Sequence, residues 1–389
     1  MTLIIRIADF EFGDWIRFEA SRSVRDATAQ FTLEVTEAAR VPAAFSNRVL
    51  RSGVDAELVL SDLVAITGKI DEVARAFDAE THQVTARGRG SMAGAIDSSV
   101  ILPDGGQLRG RTLDQVIATV LSPFGLALDF VGDPGPAFPS VVALPGESAW
   151  ELIERLSRQR GRWVHEAADG RVVCDRGISD RPKAQIVEGV HIKAGSSIDR
   201  SQARHSEIVV KAQRPGRDGV SGAETSEIEA RVPDVNVGAY RPLVIVAEEP
   251  LDRAGARLRA DWEATVRAAE SVEMDVTLQG WRRDDGLLWD AGDRVDATSP
   301  TLAIDREMVV RDVRWTLDDQ NGELVALSLV PPEALDATKP AAAASESGDA
   351  ATGASGTAAK RGRAVPGIAP DGFEPDRIWS ESKPAELAK

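Results

Sequence analysis

Two stretches of this sequence, 240 positions apart, follow one strand–turn–strand pattern, which strongly limits the folds that can hold both. The first runs from Ile70 to Asp78 and resumes at Val84; the second runs from Val310 to Asp318 and resumes at Leu324. Shifting by 240 pairs Val73 with Val313, Phe77 with Leu317, Asp78 with Asp318, Val84 with Leu324 and Ala86 with Ala326. Polar turns, Ala79–Gln83 and Asp319–Glu323, close the two copies. A strand repeats every second residue, so matching phases predict matching buried faces. Any two antiparallel hairpins share part of this pattern, so both duplication and coincidence stay open. A duplicated β-domain would let a trimer present six similar faces.

The rest of the first hundred residues also alternates. Phe31, Leu33 and Val35 are interleaved with Thr32, Glu34 and Thr36, and turns at Ser52-Gly53 and Ser61-Asp62 give the spacing of a sandwich or barrel. The pattern changes after Leu102-Pro103-Asp104-Gly105-Gly106. Thr112 with Gln115, and Ser148 with Glu151, read as capping boxes opening two helices, the second ending at Gly161. A hairpin turning at Asp169-Gly170 follows. Further on, Leu251, Ala254, Leu258, Trp262, Val266 and Ala269 form an apolar helical stripe. Arg253, Arg257, Arg259, Glu263 and Glu270 fall off that stripe and are expected to face solvent.

The expected fold class is therefore mainly β with an α+β insertion: two similar antiparallel β-barrel domains with a small α/β domain between them. The first barrel is assigned to 1–104 with about 186–235, the α/β domain to 105–185, and a helix plus second barrel to 236–335. Residues 214–226, polar and glycine-rich, are expected to be an exposed loop. Beyond Pro331-Pro332, residues 336–389 are expected to be a disordered tail, since their Ala, Gly, Ser and Thr cannot bury enough surface to offset ordering.

With 389 residues the chain can build two or three cores. A net charge of −16 argues against a surface that grips nucleic acid through its phosphates. Cys174 is the sole cysteine, which excludes an internal disulfide and fits a reducing compartment. Charges at Arg6, Asp9 and Glu11 interrupt the apolar start, so no signal peptide is expected, and no apolar run is long enough to span a membrane. His82, His165, His191 and His205 lack metal-pair spacing, no cofactor motif is complete, and nothing singles out a carboxylate pair, so no catalytic, metal or cofactor residue is assigned. The most distinctive stretch is Gly280-Trp281-Arg282-Arg283-Asp284-Asp285-Gly286-Leu287-Leu288-Trp289. Its tryptophans are either core residues bracketing a hairpin or, with Arg282, anchors at a subunit boundary; Trp281, Arg282 and Trp289 are the candidate interface residues.

In order along the chain stand Arg22-Ser23-Val24, Gly68-Lys69-Ile70-Asp71, Gly88-Arg89-Gly90, Trp150 to Leu156, Arg204 to Gln213, Ala260-Asp261-Trp262-Glu263, Gly280-Trp281-Arg282 and Met308 to Val313. Over residues 3–335 this succession resembles the Mu-like phage baseplate hub proteins, the tail protein P family. The sequence departs from the family pattern at Gly88-Arg89-Gly90, where that family has Gly-Arg-Ser, and in its tail after 336. The resemblance implies a homotrimeric ring in a contractile-tail baseplate. Its partners would be the tail tube protein, the central spike protein and neighbouring baseplate proteins, with DNA only in transit through the lumen and no membrane insertion. It implies a virion component assembled in the bacterial host cytoplasm, with no enzymatic activity. The alternatives are the hub of a related contractile injection system and a β-rich cell-wall hydrolase. A hydrolase would show a deep cleft lined by paired carboxylates.

Overall fold

Alternating sequence becomes strand in two sets of six that share one 13-stranded sheet. The computed structural model describes residues 3–8, 10–13, 15, 17–36, 49–78, 82–175, 183–212, 228–247 and 253–335. The expected loop 214–226, the tail 336–389 and Leu251 lie outside these residues. The first set is β1 (Leu3–Ile7), β2 (Arg17–Ser23), β3 (Gln30–Thr36), β4 (Asp55–Leu60), β5 (Leu63–Phe77) and β6 (His82–Gly90). The second is β7 (Ala184–Val187), β8 (Ile192–Asp199), β9 (Val272–Gln279), β10 (Arg294–Ser299), β11 (Ile304–Asp318) and β12 (Gly322–Val330).

Both sets are wired alike. The first runs across the sheet as β1, β4, β5, β6, β3, β2, and the second as β7, β10, β11, β12, β9, β8. Nine of the ten ladders within the sets are antiparallel, and β7 with β10 is the parallel exception. Neither path returns to its own first strand among the described pairings. Instead β2 pairs with β11, which joins the two sets into one sheet.

Register shows how close the repeat is. β5 bulges at Asp71, between Ile70 and Glu72, and β11 bulges at Arg311, between Val310 and Asp312, an offset of 240. On the partner strands the offset becomes 241, because Val73 lies opposite Ala86 whereas Val313 lies opposite Leu327. The expected matches of Val84 with Leu324 and Ala86 with Ala326 are therefore out by one. The true equivalents are Val325 and Leu327, which are buried as Val84 and Ala86 are. The connection between Leu317 and Glu323 is one residue longer than that between Phe77 and His82, and one residue turns a strand over. Between β4 and β5, Ser61 and Asp62 have φ of 48° and 66°, the two left-handed residues of a tight hairpin turn that follows strand twist.

One apolar core serves both sets, with Phe18, Leu33, Ile66 and Ile70 from the first and Met274, Val310, Trp315 and Leu327 from the second. Each fully buried large side chain there contributes about 1.5–3 kcal/mol.

Two insertions interrupt the repeat. After β6 come α1 (Ala93–Asp97), α2 (Leu113–Leu121) and α3 (Ala149–Gln159), with a three-stranded sheet formed by Leu128–Phe130, Trp163–Glu166 and Val172–Asp175. The Ser148 box opens α3, with Glu151 N–H donating to Ser148 Oγ at 3.1 Å and Ser148 N–H donating to Glu151 Oε2 at 2.7 Å. Gly161, at φ 60°, follows its end. This unit begins before the expected residue 105, because Met92, Ala95 and Leu102 pack into its core.

The second insertion lies between β8 and β9. Glu207–Ala212, Ile228–Pro233 and Pro242–Val246 form a separate three-stranded sheet covered by α4 (Arg253–Glu270). Residues 186–235 therefore do not complete the first barrel as expected. β8 is captured by β9, and Glu207–Ala212 belongs to the insertion. The orientation of α4 also differs from the stripe read in sequence. Gly255, Ala256, Ala260, Glu263 and Ala269 are buried, and Leu258 is 55 % exposed. Small residues let the helix approach the sheet closely, and Glu263 is neutralised by Arg259 at 2.5 Å and Arg267 at 3.2 Å.

Candidate functional site

The junction of β2 with β11 is where the two sets, the α/β unit and the tryptophan hairpin meet. Six residue pairs form its ladder, from Ser23 opposite Asp312 to Phe18 opposite Leu317. Val24 N–H extends it by donating to the Arg311 carbonyl at 2.9 Å. Arg22 is buried behind this ladder. Its Nη1 lies 2.9 Å from both Asp290 oxygens, its Nη2 donates to the Ala65 carbonyl, and its guanidinium stands 6.0 Å from the Trp315 ring centre. A cation removed from water needs such compensation, and its partners come from β5 and from the segment before β10.

The tryptophan hairpin fits into this arrangement from the inside. Trp281 is 1 % exposed, and its Nε1–H is shared between the Thr316 and Leu324 carbonyls at 3.1 Å each. Its ring meets Phe18 edge-on at 5.8 Å. Trp289 is 5 % exposed beneath Arg283, whose guanidinium is 5.9 Å from its ring centre and ion-paired to the buried Asp293 at 3.1 Å. Both indoles thus pack as core residues of their own chain. Of the three candidate anchors only Arg282 faces outward; it donates to Gly286 O at 3.1 Å and to the Ser61 carbonyl across the junction. Arg22 and Asp290 were missed in the sequence because nothing local marks a pairing across that much chain.

The α/β unit is keyed to the same region. Glu166, buried, accepts from Thr28 Oγ1 at 2.8 Å and from Ser91 N–H, and Thr67 Oγ1 donates to Ala168 O at 2.9 Å. Burial raises the Glu166 carboxyl above its ordinary range, and burial lowers the neighbouring His165 imidazole against the pull of Asp175 and Asp290. These groups lock the unit onto the sheet.

On the outer face of the joined sheet lies a shallow groove of about 660 Å³ whose lining includes Ser21, Ser196, Thr277, Asp312, Arg314 and Ser328. Asp26, also in the lining, has its carboxyl raised by burial and by the neighbouring Asp312. The lining is mostly small, hydroxylated or charged side chains, a surface suited to backbone and polar contacts. Among the described residues no group of His, Cys, Asp and Glu is arranged to hold a metal ion, and no helix is long and apolar enough to cross a membrane.

Comparison with known proteins gives this architecture its class. The model of the N-terminal domain of Mu phage baseplate assembly protein GpP-like proteins matches residues 2–90. That of the second domain of gp44-like baseplate hub proteins matches 93–176, and that of the fourth domain of Mu phage baseplate assembly protein GpP matches 252–338. The first of these ends where the first strand set ends, and the second starts at α1. The baseplate hub protein gp44 of Escherichia phage Mu is 28 % identical over 344 residues, 85 % of this chain and 88 % of that protein. The 43 kDa tail protein of prophage MuSo2 from Shewanella oneidensis superposes with a TM-score of 0.74 at 27 % identity, over 86 % of this chain and 99 % of the other. The tail protein of Neisseria meningitidis MC58, at 18 % identity and TM-score 0.70 over 87 % and 98 % of the two chains, has the same fold. The molecule is a structural protein of a phage tail. Within that class the chain belongs to the Mu-like phage baseplate hub proteins, and so to the virion.

Proposed function

We propose that three copies of this chain form a ring at the centre of a contractile-tail baseplate, joining the hexameric tail tube to the trimeric central spike. The observation that carries this reading is the repeated strand order. Each chain holds two six-strand sets, so three chains present six near-equivalent sets to a sixfold tube and keep threefold symmetry for a spike. Closure of each set into a barrel belongs to this reading, as does the division into a first set, an α/β unit and a second set with its own insertion. Neighbouring baseplate proteins surround the ring, and DNA passes through it without being held. The protein acts by assembly and not by catalysis. Its two carboxyls raised by burial, Asp26 and Glu166, serve a polar groove and an internal lock. Assembly takes place in the bacterial host cytoplasm.

Light scattering tests the reading. The purified chain should give three times 41.6 kDa alone, or a heavier complex holding three copies once tube and spike proteins are added. A species that stays at 41.6 kDa in the presence of both would overturn it.

A further inference from the structure

The tryptophan hairpin holds one cation whose charge nothing nearby balances. Arg282 turns outward and donates to two main-chain carbonyls, Gly286 O at 3.1 Å and Ser61 O. Among the described residues no carboxylate pairs with it. Its cationic neighbours differ. Arg283 pairs with Asp285 at 2.8 Å and with Asp293 at 3.1 Å, while Lys183 pairs with Glu307 and stands 3.5 Å from Asp296.

Arg282 forms part of the wall of a pocket of about 430 Å³ at one end of the second strand set, a size that takes a side chain or a small ligand. Gln185 of β7, Gln279 of β9 and His191 supply hydrogen-bonding groups, and Val190, 73 % exposed, supplies an apolar rim. His191 is held in place from behind. Its Nδ1 accepts from Val187 N–H at 3.0 Å, so the neutral ring carries its proton on Nε2, 3.5 Å from Asp284 Oδ2. The lining holds three cations, Lys183, Arg282 and Arg283, and two carboxylates, Asp284 and Asp285. Arg282 is the cation left over.

We infer that this pocket is a docking site for a carboxylate side chain, Asp or Glu, on a protein that the hub joins, with Arg282 as its anchor. Two carbonyls fix the guanidinium without neutralising it, and its remaining N–H groups are free to meet both oxygens of a carboxylate. One unbalanced positive charge calls for one negative charge. A phosphate dianion would bring a second charge up against Asp284 and Asp285. The inference rests on the reading that this chain joins other baseplate proteins, but not on threefold closure.

Fluorine NMR of the full chain labelled with fluorotryptophan tests it. Trp289 lines the pocket, and its signal is identified through Trp289→Phe. The probe is N-acetylglutamate α-amide, with N-acetylglutamine α-amide as its uncharged counterpart. The glutamate probe should shift the Trp289 signal saturably, whereas the glutamine probe and inorganic phosphate should not. Arg282→Gln should weaken the glutamate probe about tenfold, the worth of one charged hydrogen-bonded contact, and Arg282→Lys should restore part of that. No shift with the glutamate probe, an equal one with glutamine, a stronger one with phosphate or an undiminished one in Arg282→Gln would overturn carboxylate recognition.

Light scattering with purified tube and spike proteins then tests the partner. Arg282→Glu should weaken association with one of them by about tenfold or more while leaving the melting midpoint of the hub unchanged. If both associate with Arg282→Glu as they do with the unaltered chain, the docking site is wrong and the ring reading stands. If the Arg282 effects appear but the complex never holds three copies, the ring falls and the docking site stands.

Discussion

Arg22 and Asp290, 268 positions apart, form an ion pair in which one guanidinium nitrogen lies 2.9 Å from both carboxylate oxygens. Their side chains are 7 % and 15 % exposed, so the pair is held largely out of water at the point where β2, β5 and the tryptophan hairpin converge. Removing Arg22 takes the buried countercharge from Asp290, which costs about 3–5 kcal/mol. Arg22→Met should therefore lower unfolding stability by that amount in a urea titration. Arg22→Met with Asp290→Leu should recover most of the loss.

Trp281 and Arg282 are adjacent but should behave as opposites. Trp281→Ala empties a core position and breaks the shared bonds to Thr316 and Leu324, a loss of about 3–5 kcal/mol. Arg282→Ala alters an exposed residue and should change protomer stability by no more than about 0.5 kcal/mol. Thermal unfolding beside light scattering separates the two. If Trp281→Ala leaves the melting profile intact and changes only the mass, the indole is a subunit anchor after all.

His165 should give the stability a pH dependence of definite sign. Burial holds its imidazole below the ordinary 6.5, with Asp175 and Asp290 pulling the other way and Arg22 adding to the depression. As pH falls, the unfolded chain takes up the proton first. This contribution is thus complete above about pH 6.5 and is lost as pH drops towards the folded value, with a slope of at most about 1.4 kcal/mol per pH unit. Denaturant titrations from pH 7.5 to 5.5 should show a shallower decline in His165→Gln. The adjacent Glu166, whose folded carboxyl is raised, contributes in the opposite sense: its share is present at low pH and lost as pH rises.

A ring that passes DNA must not hold it. Three chains carry three times −16 charges, and screening over about 8 Å leaves only the lining of the passage to act on DNA inside it. We expect that lining to hold more Asp and Glu than Lys and Arg. Fluorescence anisotropy with duplex DNA should show no salt-sensitive binding between 50 and 200 mM. Binding that weakens steeply with salt would refute an acidic passage.

Local chemistry made much of this molecule readable in advance. Period-2 alternation is imposed by strand geometry itself, so Phe31-Thr32-Leu33 and the echo of Val73 in Val313 could be read from the residues alone. The capping box at Ser148 satisfies backbone donors three residues away, and Gly161 takes the left-handed conformation that ends such helices. Hub-family motifs placed in order along residues 3–335 supplied the class.

Tertiary structure decided whatever depended on distant partners. The echo reads as 240 along β5 and β11 but 241 along β6 and β12, because one added residue in a connection shifts which face is buried. Sequence periodicity gave α4 a Leu258 stripe, whereas close approach to the sheet selected Ala256 and Ala260 and left Leu258 in solvent. Trp281 has the composition of an interface anchor, but whether an indole faces a neighbour or its own core depends on what Phe18 and Thr316 bring to it. β8 pairs with β9, 73 residues beyond Asp199, across an insertion that forms its own sheet, a partner no local pattern marks. Side-chain period and caps are properties of neighbouring residues. Strand partners are properties of the whole chain.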